Sequence, residues 1–225
     1  MKKIVYTRKG EVAINRPSAN IIKSGFVKSA ANFTHVMELD GRPEVAFVGR
    51  SNVGKSSLLN MLCNQRALAI TSKTPGRTRL INFFDITIRK GEKGQGDTTE
   101  RIYFVDLPGY GYAEASKQVT DGWNDNIGEY LLKSRYLQIV FVLLDIRHAP
   151  SDLDISMLNF LQANSIPFAI IATKADKFSR AQGSTAKQKL AQSLGVTRND
   201  IIVSSSLGKV GRDEIVSYIA GRMNI

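Results

Sequence analysis

Short apolar runs alternate with helical patterns along most of the chain. A first strand is predicted over residues 44–48, and the uninterrupted apolar runs 139–144 and 168–172 are typical of strands that helices cover on both faces. Strands and helices that follow one another in this order predict a parallel α/β sheet.

The stretch 80–89 has a different pattern, because successive positions alternate between two faces and one of these faces is partly polar. This alternation is typical of a strand that solvent reaches on one side, which places it near a sheet edge. The polar, glycine-rich stretch 91–100 predicts a hairpin loop that leads into a strand over 101–105. These two strands are therefore expected to be antiparallel.

The helices are predicted from apolar stripes and cap residues. Ser151 starts one of them, with Asp154 three residues later in place of a capping-box Glu. The remaining elements are helices and a last strand, predicted over 55–64, 186–194, 213–223 and 201–204. The whole pattern predicts one three-layer, doubly wound α/β domain over 41–225, in which a mostly parallel six-stranded sheet has one antiparallel edge strand.

Residues 1–40 are expected to form a basic N-terminal extension, which is either separate from the domain or partly ordered against it. The formal net charge of the chain is +11, and residues 1–30 contain seven Lys or Arg against one acid, Glu11. A charge of this size attracts polyanions, above all RNA or DNA. The alternative, in which the charge only keeps the protein soluble, stays open at this point.

The composition favours a cytoplasmic protein. Apolar runs such as 139–144 are far shorter than the roughly 18 residues that span a bilayer, so no membrane partner is expected. No apolar run follows Lys2 and Lys3, so no secretory signal is expected either. Cys63 is the single cysteine, which permits no internal disulfide and fits a reducing compartment.

The segment GRSNVGKSS at 49–57 matches the pattern G-x-x-x-x-G-K-[ST] and lies between a predicted strand and a predicted helix. Backbone N–H groups of such a loop close around phosphate oxygens, and the helix N-terminus adds partial positive charge. Lys55 supplies a point charge to the β- and γ-phosphates, and the Ser56 hydroxyl can bind Mg²⁺. The loop predicts a nucleoside triphosphate site without selecting the base.

The base is indicated by TKAD at 173–176, directly after an apolar run. The Asp176 carboxylate can accept from N1–H and N2–H₂ of guanine, a donor pair that adenine lacks, while the stem of Lys174 lies along the ring. Because an unpaired buried polar group costs about 1–3 kcal/mol, such a site rejects adenine. The turn at 204–206 can offer a backbone N–H to guanine O6.

A second motif that is expected to lie near the phosphates, DLPG at 106–109, follows the strand predicted over 101–105. Asp106 can reach Mg²⁺ through water, and the Gly109 N–H can reach a γ-phosphate. Either role requires the end of this strand to lie beside the phosphate loop, as parallel strand order in the predicted sheet allows.

With these motifs in this order, the chain resembles the translation-factor-like P-loop GTPases, and within them the EngB family, also called YsxC or YihA. The motifs that carry the resemblance are GRSNVGKSS at 49–57, TSKTPGRTRLINFF at 71–84, VDLPGYGYAE at 105–114, DIRH at 145–148 and TKAD at 173–176. TPGRT followed by DLPGYGYA is far more specific than any general GTPase motif.

The resemblance implies a bacterial Mg²⁺-dependent GTPase that acts as a switch in assembly of the large ribosomal subunit and is needed for normal cell division and septation. The implied partners are GTP, GDP and the large ribosomal subunit, and we expect a monomer. The resemblance also implies that Thr78 is the switch I threonine that completes the Mg²⁺ shell. The residues alone leave Thr71, Thr74 and Thr78 open for this role.

The expected site follows from the motifs and the resemblance together. The residues expected to be catalytic are Lys55, Thr78 and Gly109, and those expected to hold Mg²⁺ are Ser56, Thr78 and, through water, Asp106. The residues expected to contact the nucleotide are Gly49, Arg50, Ser51, Asn52, Val53, Gly54, Lys55, Ser56, Gly76, Arg77, Thr78, Arg79, Leu80, Asp106, Leu107, Pro108, Gly109, Thr173, Lys174, Ala175, Asp176, Ser204, Ser205 and Ser206.

Three positions depart from the broader GTPase pattern or raise a question. Thr173 stands where the base-reading motif usually has Asn, and its hydroxyl can donate to guanine N7 with less reach, so modest affinity is expected. Tyr110 stands where a glutamine often orients the attacking water, so slow intrinsic turnover is expected. Asn52 either shapes the phosphate loop or, as in related GTPases, helps to coordinate K⁺.

Two other classes of function compete with the assembly switch. A P-loop ATPase or nucleotide kinase would bind ATP, against which Asp176 and the switch-like stretch 71–80 argue. An RNA-binding module that carries a nucleotide only for stability would bind RNA equally well with GTP and with GDP.

Overall fold

The structure, a computed structural model, describes residues 18–31, 33, 39–69, 80–91, 98–111 and 125–223. The elements in this part of the chain are β1 Ala19–Ala30, β2 Glu44–Gly49, α1 Lys55–Leu62, β3 Ile81–Lys90, β4 Thr98–Asp106, α2 Asp125–Lys133, β5 Leu137–Asp145, α3 Asp152–Ala163, β6 Phe168–Thr173, α4 Arg180–Leu194, β7 Ile201–Val203 and α5 Arg212–Arg222.

The strands form one sheet in the order β1-β3-β4-β2-β5-β6-β7. β3 pairs antiparallel with both β1 and β4, whereas β4 with β2, β2 with β5, β5 with β6 and β6 with β7 are parallel pairs. Among the described strands, β3 is therefore the one that runs against the others. This topology confirms the predicted doubly wound, mostly parallel α/β fold and the antiparallel pairing of β3 with β4.

The predicted six-stranded sheet needs a correction, because the sheet has seven strands. The additional strand, β1, lies within the predicted basic extension and covers the free edge of β3, so that β3 is second from the edge. Ala19, Ile21 and Ala30 of β1 are buried in the core. The strand buries these side chains and at the same time gives the backbone groups of β3 their hydrogen-bond partners.

The core lies on both faces of the sheet, which gives the predicted three layers. Helices α2, α3 and α4 cover one face through side chains such as Tyr130, Met157 and Leu190. Helices α1 and α5 cover the other face through side chains such as Leu59 and Ile219. Because they are covered on both sides, β2 and β6 are buried along their whole length, and the loops that follow them start from fixed positions.

Two helices begin at capping boxes. Ser151 caps α3 as predicted, since its hydroxyl accepts from the Asp154 N–H (3.3 Å) and its N–H donates to the Asp154 carboxylate (2.8 Å). Helix α4 begins at Arg180, earlier than the predicted residue 186, and Ser179 and Gln182 form its capping box. No helix in the described ranges is long and apolar enough to cross a membrane.

Candidate nucleotide site

The predicted phosphate loop, DLPG and TKAD follow β2, β4 and β6, three strands that run in the same direction. The carboxyl ends of parallel strands meet at one edge of a sheet, and ligands of open α/β sheets bind outside that edge. The fold therefore brings these three motifs together at the middle of the sheet.

The phosphate loop turns sharply between β2 and α1. Asn52 has a φ of +64° and Gly54 a φ of +105°, both in the left-handed region. Glycine adopts this conformation freely and asparagine is one of the few other residues that tolerate it, so the loop-shaping role expected for Asn52 has a physical basis. The Leu58 N–H donates to the Gly54 carbonyl (2.9 Å), so helix α1 starts directly behind the loop and presents its N-terminus to an anion.

Lys55 and Asp106 form an ion pair beside the phosphate loop. The side chains are 10% and 6% exposed, so both charges are largely shielded from water. Ser56 follows Lys55 in the first turn of α1. A serine hydroxyl and a carboxylate suit Mg²⁺, which completes its shell with water and phosphate oxygens. Among the described residues no cluster of three or more His, Cys, Asp or Glu could hold a metal ion.

The residues after DLP lie against the phosphate loop. The Ser51 N–H donates to the Tyr110 carbonyl (3.1 Å), and the Tyr110 N–H donates to the Gly49 carbonyl (3.2 Å). A Cβ atom at Gly109 would lie 3.1 Å from both the nitrogen and the hydroxyl oxygen of Ser51. A side chain at this position would therefore press on Ser51, and glycine fits the close approach of the two segments.

The Tyr110 side chain is part of the core. It is 3% exposed, and its hydroxyl donates to Oδ1 of Asp154 at the start of α3 (2.8 Å). Burial, and the nearby charge of Asp154, raise the pKa of Tyr110. The structure fixes this phenol beneath the loop, with its only proton donated to Asp154.

Thr173 contacts the phosphate loop. Its hydroxyl donates to the Val53 carbonyl (2.7 Å), and the Leu144 carbonyl is 3.1 Å away. Because a hydroxyl carries a single proton, the expected donation to guanine N7 is not available in this arrangement. The side chain instead joins the end of β6 to the phosphate loop.

Lys174 makes a second link between the TKAD loop and the phosphate loop. Its ammonium donates to the Asn52 carbonyl (2.6 Å) and pairs with Oδ2 of Asp145 (3.0 Å). Burial would raise the pKa of Asp145, but hydrogen bonds from Arg147 and Lys174 lower it below its usual range. These contacts hold the lysine stem beside the loop, where the sequence predicts that the guanine ring lies.

Asp145 is a site residue that sequence reasoning missed, beyond its place in the DIRH motif. It is the last residue of the buried strand β5, and it is in register with Thr173 of β6. A charged residue at the end of an apolar strand was a usable signal, but its partner is known only once β5 and β6 are known to be neighbours.

Asp176 lies in the short turn that follows β6. Its Oδ1 accepts from the Ser205 hydroxyl (2.8 Å), and its Oδ2 pairs with the Lys177 ammonium (3.2 Å). Burial would raise the pKa of Asp176, but the contacts with Ser205 and Lys177 lower it. The carboxylate is therefore ionised at neutral pH, as acceptance of two guanine protons requires.

The serine turn differs in part from expectation. The Ser204 N–H donates to the Ala172 carbonyl (2.8 Å), and the Ser205 N–H donates to the Val210 carbonyl (3.1 Å). These two N–H groups are used within the protein, so the contact with guanine O6 stays a prediction for Ser206. Ser205 acts through its side chain, which positions Asp176.

The predicted switch I residues Gly76, Arg77, Thr78 and Arg79 lie outside the described residues. Leu80, which directly precedes β3, is 39% exposed. The roles expected for these five residues stay predictions.

Comparison with known proteins identifies relatives along most of the chain. A family model described as 50S ribosome-binding GTPase matches residues 44–174. The probable GTP-binding protein EngB of Fusobacterium nucleatum is 43% identical over 204 residues, which cover 91% of this chain and 98% of the relative. The probable GTP-binding protein EngB of Pelobacter propionicus is 44% identical over 195 residues, which cover 87% and 91%.

Solved structures share the fold. A crystal structure of a probable GTP-binding protein EngB has a TM-score of 0.57 at 20% identity and covers 81% of this chain and 100% of its own. Era of Aquifex aeolicus has a TM-score of 0.57 at 23% identity, with 78% of this chain and 55% of its own covered. Together with the family match, this likeness confirms the predicted P-loop GTPase fold.

Proposed function

Since this chain belongs to the EngB family of GTP-binding proteins, we propose that its GTPase cycle is a switch in assembly of the large ribosomal subunit. It is a P-loop GTPase, which sets aside the ATPase and nucleotide kinase alternatives. The observation that carries the proposal is the match of residues 44–174 to a family described as 50S ribosome-binding GTPase, and the phosphate loop and Asp176 at one edge of the sheet supply the guanine-nucleotide site that such a switch needs. We further propose a cytoplasmic monomer that is needed for normal cell division and septation.

The proposed reaction transfers the γ-phosphoryl group of GTP to water. The N–H groups of the phosphate loop and the Lys55 ammonium hold the phosphates and stabilise the charge that develops on them. The Gly109 N–H reaches the γ-phosphate. Ser56, Thr78 and, through water, Asp106 are proposed to hold Mg²⁺, which when bound neutralises phosphate charge.

Intrinsic turnover is proposed to be slow, in or below the range of about 10⁻⁴ to 10⁻² s⁻¹ found for unassisted GTPases. Tyr110 follows Gly109 directly, and its hydroxyl is held by Asp154 in the core. It cannot orient an attacking water molecule from there. A partner is therefore needed to supply the group that orients the attacking water. Hydrolysis would then be fast only when the protein is bound to its target.

GTP turnover is expected to be faster in K⁺ than in Na⁺, by about tenfold or more. The reason is that Asn52 is proposed to help hold K⁺ beside the β/γ bridge, where the ion occupies the region in which an arginine finger stabilises charge. Steady-state phosphate release in matched chloride salts, with wild type and Asn52→Ala, measures this effect.

Asn52→Ala is expected to abolish the difference between the two salts. Asn64→Ala is the matched control, because Asn64 also has a positive φ but follows α1 outside the phosphate loop. Equal rates of the wild-type protein in both salts would leave Asn52 with the loop-shaping role alone.

Co-sedimentation with purified large ribosomal subunits tests the proposed function. At fixed salt, a non-hydrolysable GTP analogue is expected to promote binding and GDP is not. The salt must be fixed because a protein with a net charge of +11 binds RNA non-specifically at low ionic strength. The variant Asp176→Asn is the control, since it is expected to lose the response to guanine nucleotides. Equal wild-type binding in both nucleotide states would contradict the switch.

A further inference from the structure

The short segment that contains Gly109 is hydrogen-bonded to its neighbours at both ends. Before it, the Leu107 N–H donates to a carbonyl of β2 (3.1 Å). After it, the Tyr110 N–H donates to the Gly49 carbonyl (3.2 Å), and the Tyr110 carbonyl accepts from the Ser51 N–H (3.1 Å). The position of Gly109 relative to the phosphate loop is therefore set by the residues on either side of it.

Gly109 contributes the free N–H group of this segment. Pro108 has no N–H, and within the part of the chain that the structure describes the Gly109 N–H donates to no protein acceptor. Gly109 is half-buried, whereas Pro108 and Tyr110 are buried. A backbone N–H that is left free beside a phosphate loop suits an anion. The γ-phosphate contact proposed for Gly109 uses this donor.

The Tyr110 side chain fixes the far end of the segment. Its ring is buried in the core, and its hydroxyl donates to Oδ1 of Asp154 (2.8 Å), a residue that is itself 5% exposed. Oδ2 of the same carboxylate accepts from the N–H (2.8 Å) and the hydroxyl (2.7 Å) of Ser151 in the capping box of α3. One carboxylate thus caps α3 and binds Tyr110.

A second contact joins the segment to the first turn of α3. Gly111 has a φ of +84°, and a Cβ atom added there would lie 3.3 Å from Cδ1 of Leu153. Tyr110 and Gly111 therefore contact adjacent residues, Asp154 and Leu153, at the start of one helix. Because both contacts are with this turn, the helix start holds the chain directly after Gly109.

We propose that the hydrogen bond from Tyr110 to Asp154 positions the Gly109 N–H for the γ-phosphate and so contributes to a preference for GTP over GDP. This rests on the γ-phosphate contact proposed above for Gly109. Tyr110 is a positioning residue, since its buried side chain acts through the peptide bond that it shares with Gly109. GDP has no γ-phosphate, so its binding does not depend on this hydrogen bond.

Competition of GDP and of a non-hydrolysable GTP analogue against a fluorescent GDP analogue, in the presence of Mg²⁺, tests the proposal. The variant Tyr110→Phe keeps the buried ring and removes only the hydroxyl. It is expected to bind the GTP analogue about five- to tenfold more weakly than the wild type, which is the effect of about one hydrogen bond, and to bind GDP equally well. The ratio of the two affinities is the readout, because a loss of stability alone does not change it.

Tyr130→Phe is the matched control. Tyr130 is fully buried, and its hydroxyl donates to the carboxylate of Glu44 (2.7 Å), which begins β2 at the end of the strand opposite to the phosphate loop. In each variant the carboxylate keeps a serine hydroxyl as a partner. The control is expected to lower the unfolding midpoint about as much as Tyr110→Phe and to keep the wild-type ratio of affinities. An unchanged ratio in Tyr110→Phe, or an equal change in both variants, would overturn the proposal.

Gly109→Ala separates this proposal from the contact on which it rests. The added Cβ would lie 3.1 Å from the nitrogen of Ser51, so this variant is expected to displace the Gly109 N–H and to weaken binding of the GTP analogue selectively. A selective loss in Gly109→Ala but not in Tyr110→Phe would overturn the role of Tyr110 alone. No loss in either variant would overturn both. Failure of the assembly role in co-sedimentation would leave these titrations able to decide the role of Tyr110.

Discussion

Replacement of Asp176 by Asn is expected to weaken GTP binding by about 100-fold or more. The carboxylate is placed to accept from two guanine donors, and hydrogen bonds to a charged group contribute about 1.5–3 kcal/mol each. A tenfold change in affinity corresponds to 1.4 kcal/mol, so the loss of both bonds exceeds two decades. An amide also turns an N–H₂ group toward the N2–H₂ of guanine, which opposes binding. Equilibrium titration with a fluorescent GDP analogue measures the change.

Xanthosine triphosphate separates loss of recognition from loss of structure. Xanthine has a carbonyl where guanine has N2–H₂, so an asparagine can pair with it, and the Asp176→Asn variant is expected to prefer it over GTP. Glu129→Gln makes the same change of carboxylate to amide on helix α2, outside the site, and is expected to leave both affinities unchanged. If the Asp176→Asn variant lost both nucleotides equally, the TKAD turn would be a structural support and not the base reader.

Replacement of Lys55 by Ala is expected to lower the rate of GTP hydrolysis by about 10²- to 10³-fold. Lys55 is the cation placed at the phosphates, and removal of one such group from a transition state costs about this much. The same change leaves Asp106, which is 6% exposed, without its ionic partner. A broken buried pair costs about 3–5 kcal/mol, so the unfolding midpoint must be measured alongside single-turnover hydrolysis.

The double variant Lys55→Ala/Asp106→Asn removes both charges and therefore avoids the unpaired carboxylate. It is expected to regain most of the lost stability while hydrolysis stays slow. Lys133→Ala, on an exposed turn of α2, controls for the loss of a lysine as such. A folded Lys55→Ala protein that hydrolyses GTP at a rate close to that of the wild type would exclude Lys55 from the phosphate-binding role.

The middle of the sheet and the site motifs could be predicted from the sequence. β2, β5 and β6 are covered on both faces over most of their length, and this demands the apolar runs that predicted them. The phosphate loop has strict local requirements, namely a strand before it, a helix after it, and glycine or asparagine at the positions with positive φ. These requirements act within about ten residues, so they leave a pattern in the sequence.

Strand β1 could not be predicted in the same way. Its register against β3 shifts between Ile21 and Lys23 and again between Phe26 and Lys28. Each shift adds a residue to β1, so the alternation of buried and exposed positions is broken twice within twelve residues. The lysines around these bulges then gave the segment the composition of a solvated extension.

The start of α4 and the partners of Thr173 were missed for other reasons. The first turns of α4 face solvent and therefore lack an apolar stripe, although the capping box of Ser179 and Gln182 was present as a signal. The contact of Thr173 with Val53 joins residues 120 positions apart. Such a contact depends on the strand order, which a motif read along the chain does not contain.

β1 is synthesised well before α5, yet the two elements pack together. Arg212, at the start of α5, donates to the Asn20 side chain of β1 (2.9 Å) and to the Leu62 carbonyl at the end of α1 (3.1 Å). About 50 residues separate β1 from β3, the strand with which it pairs. Helix α5, which completes the helical layer on one face of the sheet, is synthesised later still. Domains fold as units when their last elements emerge during synthesis. This GTPase domain therefore completes its own fold only after α5 has emerged from the ribosome that makes it.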